Sequence, residues 1–305
     1  MIVTDAQVHV WEAHRPDRPW PAENRANPAF VAVPGARPHR AEPIGAGEMV
    51  AMMDAAGVAR AVIVPPSPVG DCNDTALEAA ARFPGRFVVM GRFDPTAPAA
   101  PQALRSWLEQ PHMAGIRMTF HKPQWSSWLD DGTIAWFWAE CERLGIPVML
   151  LVPGRLDAVE HIARRHPRLR LVIDHLGRRS DLRDDACFAD LDVMLRLGAL
   201  DNVSVKASAA PCYSTEPYPF RNLTPYLRRI YEHFGPRRMF WGSDVSRLPC
   251  SYRQAVDHFL EELQFIPAAE LPWVMGRGLS QLLDWPEDQE RGGATAGCSD
   301  DGCKA

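Results

Sequence analysis

The sequence of 305 residues contains no run of about 18 uncharged apolar residues, the length that a helix needs to cross a lipid bilayer. Its first residues carry neither the basic stretch nor the apolar stretch of a secretory signal peptide. We therefore expect a cytoplasmic protein with no membrane partner. Long basic runs are missing too and the net charge is -5, which argues against nucleic acid as a partner.

Cysteine pairs with the spacing of a disulfide framework or a zinc site are also missing. The 7 cysteines stand singly along the chain, and an odd number without paired spacing predicts reduced thiols. Two of them, Cys298 and Cys303, lie in a C-terminal segment rich in Gly, Ser and Asp. Because this segment has few apolar residues, we predict that residues 287–305 form a disordered tail and that residues 1–286 form a single domain.

Short apolar runs alternate with longer helical patterns along the chain. Eight of these runs predict strands, since each is rich in β-branched or apolar residues and is bounded by Gly, Pro, Asp or Asn. They are Ile2–Val10, Arg60–Val64, Phe87–Arg92, Ala114–Thr119, Pro147–Val152, Leu169–Asp174, Val203–Ala207 and Met239–Gly242. Several are continuously apolar, which is typical of strands that are covered on both faces of a parallel sheet.

Between these strands, apolar residues recur at spacings of three and four and predict amphipathic helices. The clearest segments are Glu48–Ala56, Asn73–Arg82, Thr133–Leu144 and Leu223–Phe234. Eight strands that alternate with helices favour an α/β fold, the closed (β/α)8 TIM barrel. The rival is an open, doubly wound sheet. Its nucleotide-binding form is disfavoured because neither a Gly-x-Gly-x-x-Gly motif nor a Walker loop follows any predicted strand.

Two connections are longer than the rest. They are His14–Pro43, after the first strand, and Pro211–Arg221, after the seventh. Long loops in compact domains often act as lids. We expect the first of them to fold over the mouth of the barrel.

Polar side chains fall at the ends of the predicted strands, where the catalytic residues of such barrels lie. Period-two alternation places Asp5, Gln7 and His9 on one face of the first strand. The others are Arg117 with His121 beyond it, His175, Lys206 with Ser208, and Asp244. Since buried charged groups are costly without partners, their convergence on one barrel mouth predicts a functional site. Asp174, next to His175, is expected to face the opposite way.

Five segments at these positions resemble the amidohydrolase-related ("amidohydrolase 2") branch of the amidohydrolase superfamily. They are Asp5–Trp11, Gly115–Arg117, Ile173–Arg178, Val203–Ser208 and Met239–Asp244. They occur in the family's order, and the resemblance spans Ile2 to Trp285. It implies a metal-dependent-hydrolase-like barrel, and the pattern is most similar to 2-pyrone-4,6-dicarboxylate lactonase-like and sugar-lactonase-like hydrolases.

The resemblance implies a metal site that this chain carries only in part. Metal-dependent relatives have His-x-His after strand 1, a His at strand 5, a His at strand 6 and an Asp at strand 8. Here Gln7 replaces the first His and Val148–Val152 offers no ligand, so that only His9, His175 and Asp244 match. A neutral amide is a poor zinc ligand. We therefore expect no cofactor, with one Zn or Mn ion held by these three residues as the alternative.

The reaction that the resemblance implies is hydrolysis of a lactone or related cyclic ester of a carboxylated small molecule. Asp244 would act as general base on water, while His9 and His175 would polarise the carbonyl oxygen. The predicted substrate-binding residues are Gln7 as an amide donor, Arg117, Lys206 and Arg247 as partners of a substrate carboxylate, and His121 and Tyr213 as pocket walls.

Two alternatives stay open at this point. The first is metal-dependent decarboxylation of an aromatic or unsaturated acid, which the three retained ligand positions favour. The second is a non-catalytic barrel that binds a ligand, which Gln7 and the missing strand-5 ligand favour and the retained Asp244 opposes. The aromatic residues between Trp125 and Trp136 could serve either a homo-oligomer or a pocket.

Overall fold

The computed structural model describes residues 1–22, 42–121 and 123–286. Its centre is one sheet of eight parallel strands, each hydrogen-bonded to the next in chain order. The strands are β1 Thr4–Val8, β2 Arg60–Ile63, β3 Phe87–Gly91, β4 Met113–Thr119, β5 Val148–Leu151, β6 Leu171–Ile173, β7 Val203–Ser208 and β8 Met239–Gly242. The first and last strands, β1 and β8, also lie side by side. The backbone N–H of Asp244, just after β8, donates to the carbonyl of Gln7 in β1 at 3.0 Å. The predicted (β/α)8 TIM barrel is confirmed.

Helices follow the strands as the apolar spacing predicts. In the described residues they are α1 Ala46–Ala56, α2 Asp74–Arg82, α3 Ala100–Arg105, α4 Pro123–Ser126, α5 Ala135–Leu144, α6 Leu156–Arg165, α7 Asp184–Cys187, α8 Leu191–Leu197, α9 Thr224–Phe234, α10 Tyr252–Asp257 and α11 Gly278–Leu282. The four helices predicted most clearly are α1, α2, α5 and α9. Two of these end at glycines in the left-handed conformation, Gly57 with φ 78° and Gly145 with φ 66°, where a side chain would be strained.

Apolar side chains form two separate layers around the sheet. The outer layer lies between the strands and the helices. The inner layer fills the barrel itself with Ala6, Val62, Val64, Met90, Met149, Val172 and Phe240. The barrel is therefore a packed core rather than a channel.

The segment from α11 to Pro286 covers one end of the barrel. Leu279, Leu283 and Trp285 pack onto the inner apolar layer. Arg60, the first residue of β2, lies 4.4 Å from the centre of the Trp285 ring and donates to the carbonyl of Pro286 at 2.7 Å. Because this seal lies at the amino ends of the strands, chemistry is left to the carboxyl ends.

Some predictions fall on residues that are not described. Residues 23–41 of the long connection after β1 and the whole segment 287–305 lie outside the described ranges. The division into a domain of residues 1–286 and a disordered tail stays a prediction. Within the described ranges, no helix has the length and apolar character needed to span a membrane.

One buried histidine makes the stability of the fold depend on pH. His258 lies in the helical turn His258–Glu262, fully buried between the rings of Phe220 and Phe259, each with its centre 5.5 Å away. Burial lowers its pKa to about 4, whereas an unfolded histidine titrates near about 6.5. As the pH falls below about 6.5, the unfolded chain therefore takes up this proton first.

We predict that His258 stabilises the fold fully above about pH 6.5 and that this contribution, about 3 kcal/mol, is lost as the pH falls to about 4. His258→Phe should remove this part of the pH dependence. Urea unfolding at pH 7, 5.5 and 4.5 measures it. The control is His161→Phe, because His161 is exposed on α6. An equal pH slope in the two variants would contradict the prediction.

Candidate active site

Two of the predicted site residues follow their strands in a left-handed backbone conformation. His175 comes after β6 with φ 52°, and Asp244 comes after β8, also with φ 52°. Residues other than glycine rarely adopt this conformation, and those that do concentrate at functional sites. Both side chains are buried, with 4% of His175 and none of Asp244 exposed. The two turns therefore aim an imidazole and a carboxylate into the barrel mouth.

Asp244 lies between two imidazoles. Nε2 of His9 is 3.1 Å from its Oδ1, and Nε2 of His175 is 3.7 Å from its Oδ2. The residues that the sequence assigned to three different strands thus meet around one carboxylate. Arg247 adds a cation at the rim, with its Nη1 3.5 Å from Oδ2 of Asp244.

Backbone contacts fix the tautomer of His9. Its Nδ1 lies 2.7 Å from the carbonyl oxygen of Val64, and a carbonyl can only accept, so Nδ1 carries a proton. In the neutral ring Nε2 then holds a lone pair, which faces the carboxylate of Asp244 at 3.1 Å. Two acceptors at this distance require a proton or another cation between them.

A chain of hydrogen bonds fixes the tautomer of His175. Lys206 donates to Oε1 of Gln7 at 2.8 Å, which leaves the amide nitrogen of Gln7 to donate toward Nε2 of His175 at 3.4 Å. Nδ1 of His175 therefore carries the proton and donates to Oγ of Ser208 at 2.8 Å. Burial lowers the pKa of His175 to about 3, against the opposing charge of Asp244. The ring is neutral at physiological pH.

Asp174 corrects one expectation from the sequence. It was expected to face away from the site, but its Oδ1 lies 2.8 Å from Nζ of Lys206 and its Oδ2 accepts from Nε of Arg117 at 3.1 Å. Val172 points into the barrel, so alternation places Asp174 on the inner side as well. The rule fails at His175, because its left-handed backbone turns that side chain to the same side. Asp174 and His175 consequently both turn inward.

Two of the predicted substrate-binding residues, Arg117 and Lys206, form ion pairs with Asp174. Asp174 and Lys206 are fully buried and Arg117 is 4% exposed. Burial raises the pKa of Asp174, but the charges of Lys206 and Arg117 outweigh it and hold the pKa at about 2. Burial lowers the pKa of Lys206, which Asp174 opposes. Lys206 thus acts inside the protein, where it orients Asp174 and Gln7.

Asp5 closes the barrel beside the site. Its carboxylate accepts from the backbone N–H groups of Gln7 and Ser243, both at 2.8 Å, from the hydroxyl of Ser243, and from the hydroxyl of Tyr252 at 2.6 Å. Burial raises its pKa to about 6, although these hydrogen bonds oppose the change. Asp5 therefore ties β1 to the turn that carries Asp244.

The remaining predicted residues lie farther out. Tyr213 is buried in the turn after β7; burial raises its pKa, against the charge of Arg247. His121 follows β4, and its ring packs edge-on to Trp125 at 5.6 Å. Their role as pocket walls stays a prediction.

The donors around Asp244 are those of a metal site by their chemistry. As the side chains stand, no group of three or more His, Cys, Asp and Glu residues in the described ranges has the spacing of a bound ion. The lone pair on Nε2 of His9 nevertheless faces the Asp244 carboxylate at 3.1 Å. Nε2 of His175, which accepts from Gln7 at 3.4 Å, lies 3.7 Å from the same carboxylate. In both rings Nδ1 is anchored, as in histidines that ligate metals. Gln7 is engaged by Lys206. These three donors therefore fit one divalent ion that keeps open positions.

Sequence reasoning missed several contributors to this site. Asp174 was misjudged because strand periodicity was extended one residue too far. Arg92 is buried directly after β3, and its signal was available, since it ends the predicted strand Phe87–Arg92 as Arg117 lies near the end of β4. The carbonyl of Val64 had no signal at all, because backbone atoms leave none in a sequence.

We predict that Asp174→Asn lowers the free energy of unfolding by about 3–5 kcal/mol, because Lys206 and Arg117 then stay buried without a counter-charge. The matched control is Asp192→Asn, which removes an exposed partner of Arg229 and should cost less than about 1 kcal/mol. Urea unfolding at pH 7 compares them. Equal losses would show that the buried ion pairs do not support the fold.

Comparisons with known proteins agree with this architecture. A family model described as amidohydrolase matches residues 4–277. L-fucono-1,5-lactonase of Burkholderia ambifaria is 29% identical over 258 residues, 80% of this chain and 81% of that protein. 4-sulfomuconolactone hydrolase of Hydrogenophaga intermedia is 28% identical over 205 residues, 65% of this chain and 63% of that protein.

The solved structures show the same fold. An amidohydrolase from Burkholderia multivorans with bound zinc superposes with a TM-score of 0.76 at 21% identity, and the match covers 94% of this chain and 100% of that one. The family model extends from β1 to beyond β8 and includes every predicted site residue. The chain therefore belongs to the amidohydrolase family of hydrolases, as the resemblance of its strand-end motifs indicated.

Proposed function

We propose that the protein hydrolyses a lactone, or a related cyclic ester of a carboxylated small molecule, with Asp244 as general base. One observation carries the proposal, the buried carboxylate of Asp244 between Nε2 of His9 and Nε2 of His175. Two relatives of the chain are hydrolases of lactones. These relatives are 29% and 28% identical to the chain over the matched residues.

The reaction needs a base beside the attacking water. Asp244 takes the proton of a water whose oxygen forms a bond to the ester carbonyl carbon. The tetrahedral intermediate then breaks its bond to the ring oxygen. The ring oxygen takes up the proton that Asp244 holds, which yields an open-chain hydroxy acid and restores the carboxylate.

The two imidazoles have different roles in this scheme. His175 is neutral and presents an accepting Nε2 beside Asp244, so it orients the second hydrogen of the attacking water. The sequence suggested that it polarises the carbonyl, but an accepting nitrogen has no proton to donate to an oxyanion. While no ion is bound, His9 in its protonated form donates from Nε2 to the carbonyl oxygen.

We also propose a second state of the site, the alternative that the sequence left open, in which His9, His175 and Asp244 hold one divalent ion and Nε2 of each histidine faces that ion instead of a proton. The facing lone pair and carboxylate at 3.1 Å support this proposal, and so does the zinc in the structure from Burkholderia multivorans. When bound, such an ion supplies Lewis-acid polarisation of the ester carbonyl.

Asp244→Asn should lower kcat for lactone hydrolysis about 1,000-fold, because the amide cannot accept the proton of water. The assay follows acid release from a panel of 1,4- and 1,5-lactones with a pH indicator. Asp192→Asn is the matched control and should keep full activity. Undiminished turnover in Asp244→Asn would disprove the proposal, and release of carbon dioxide without acid would favour the decarboxylase alternative.

Exhaustive chelation of the wild-type protein should lower lactone hydrolysis at least about tenfold, and Zn²⁺ or Mn²⁺ should restore it. Elemental analysis before and after chelation measures the metal content directly. His9→Gln should lower the amount of metal retained. Full activity in protein that elemental analysis finds free of metal would contradict the ion and support the cofactor-free site that the sequence first suggested.

A further inference from the structure

Arg247 lies in the turn that follows Asp244, and its backbone is held at two points. The turn Val245–Arg247 begins directly after Asp244. The N–H of Arg247 donates to the carbonyl of Asp244 at 3.0 Å. The carbonyl of Arg247 accepts from Sγ of Cys212, which lies in the turn after β7, at 3.3 Å. Contacts with two neighbouring strand ends thus fix the point from which the side chain of Arg247 extends.

The guanidinium of Arg247 stands on the outer side of the Asp244 carboxylate. Its Nη1 lies 3.5 Å from Oδ2 of Asp244, the oxygen that also faces Nε2 of His175 at 3.7 Å. The side chain of Arg247 is 19% exposed, whereas that of Asp244 is fully buried and those of His9 and His175 are 6% and 5% exposed. Of these four groups, Arg247 is therefore the first that a molecule entering from solvent meets.

The contact between Arg247 and Asp244 is a loose one. Its 3.5 Å exceeds the roughly 3.2 Å at which an ordinary N–H···O hydrogen bond ends. Charge attraction therefore contributes more to this pair than a directed hydrogen bond does. A guanidinium carries several N–H groups, so Arg247 can donate to a second oxygen while it stays beside Asp244.

The proposed reaction moves a negative charge away from Asp244. The carboxylate becomes neutral when it takes a proton from the attacking water. At the same time the water oxygen bonds to the carbonyl carbon, and the electron pair of the C=O double bond moves onto the carbonyl oxygen. The charge therefore passes between two groups that contact the same water molecule, and the backbone of Arg247 is anchored beside one of them.

This movement of charge changes the counter-ion of Arg247. In the resting site the counter-ion is Asp244. In the tetrahedral intermediate Asp244 is neutral, and the new oxyanion is the charge that Arg247 can pair with. A donor placed where charge develops stabilises the transition state more than the ground state. The loose contact favours this exchange, because little is lost when the guanidinium turns from one oxygen to the other.

We propose that Arg247 is a further catalytic residue, which donates from its guanidinium to the oxyanion of the tetrahedral intermediate. When the ring opens, the electron pair of the oxyanion forms the C=O double bond again and the ring oxygen takes the proton from Asp244. The restored carboxylate then pairs with Arg247 as before.

This role rests on the proposed lactonase function and differs from the one that the sequence suggested. There Arg247 was expected to bind a carboxylate of the substrate, which would make it important only for acidic lactones. An oxyanion forms during the hydrolysis of every lactone. The contribution of Arg247 is therefore the same for neutral and for acidic lactones.

The first experiment measures kcat and KM of the wild type, Arg247→Gln, Arg247→Lys and Arg229→Gln on every lactone of the panel that the wild type hydrolyses. Arg247→Gln should lower kcat about 100-fold and change KM less than about threefold, because the lost contact forms only in the transition state. Arg247→Lys should lower kcat about tenfold, since it keeps the charge but loses the planar fork. Arg229, which pairs with Asp192 on the surface, is the control and should change neither constant.

The second experiment measures binding without turnover. One probe is the cyclic phosphonate analogue of δ-valerolactone, which carries an anionic oxygen on a tetrahedral phosphorus. The other is δ-valerolactam, which is neutral and has a planar carbonyl group. In titration calorimetry, Arg247→Gln should weaken binding of the phosphonate about 100-fold, in line with its effect on kcat, and leave binding of the lactam unchanged. Elemental analysis should find the same metal content in Arg247→Gln as in the wild type.

The outcomes separate the role of Arg247 from the lactonase proposal. If Asp244→Asn loses activity and Arg247→Gln keeps its kcat, the general base stands and the role of Arg247 is wrong. A higher KM with full kcat, confined to acidic lactones, would instead make Arg247 the partner of a substrate carboxylate. Equal affinity of wild type and Arg247→Gln for the phosphonate, or a lower metal content in Arg247→Gln, would also overturn the role. If the wild type hydrolyses no lactone, both proposals fail.

Discussion

The carboxylate of Asp174 holds the interior of this barrel mouth together electrostatically. It is fully buried and lies within 3.1 Å of nitrogen atoms of both Lys206 and Arg117. From Lys206 the contacts continue through Gln7 to His175, and from Arg117 they continue through Thr119 to Arg92. Since desolvated charges need partners, one carboxylate fixes side chains from several strands. The rigidity that catalysis requires thus comes from charge neutralisation.

The same network explains why the site residues hold defined protonation states. The Val64 carbonyl places the proton of His9 on Nδ1, and the amide of Gln7, oriented by Lys206, leaves the proton of His175 on its Nδ1. Both imidazoles then offer Nε2 toward Asp244. Gln7, at the position where the sequence resemblance implies a histidine, therefore still takes part in the site. Gln7 contacts Lys206 through its oxygen and His175 through its nitrogen, and so orients that histidine.

The fold and much of the site could be predicted because their signals are local. Alternating apolar runs and helical spacings predicted all eight strands, and strand-end polar residues predicted that His9, His175 and Asp244 converge. Prediction failed where the chain leaves regular structure. Asp174 follows the last extended residue of β6, and the next residue has φ 52°, so the two-residue period no longer applies. Arg92 was passed over although it ends its predicted strand, and only the structure shows that it shares Thr119 with Arg117.

The sequence by itself determined the order of the elements, the family and the types of groups available for chemistry, because periodicity, turn residues and strand-end motifs act over a few neighbouring positions. Only the tertiary structure decided which cations are already neutralised. In the sequence, Lys206 and Arg117 are equally plausible partners for an anionic substrate. In the structure, Asp174 forms ion pairs with both. Arg92, in contrast, has an Nε without an acceptor in the described residues. Charge balance in a buried site depends on distances between strands far apart in the chain, and no local pattern encodes those distances.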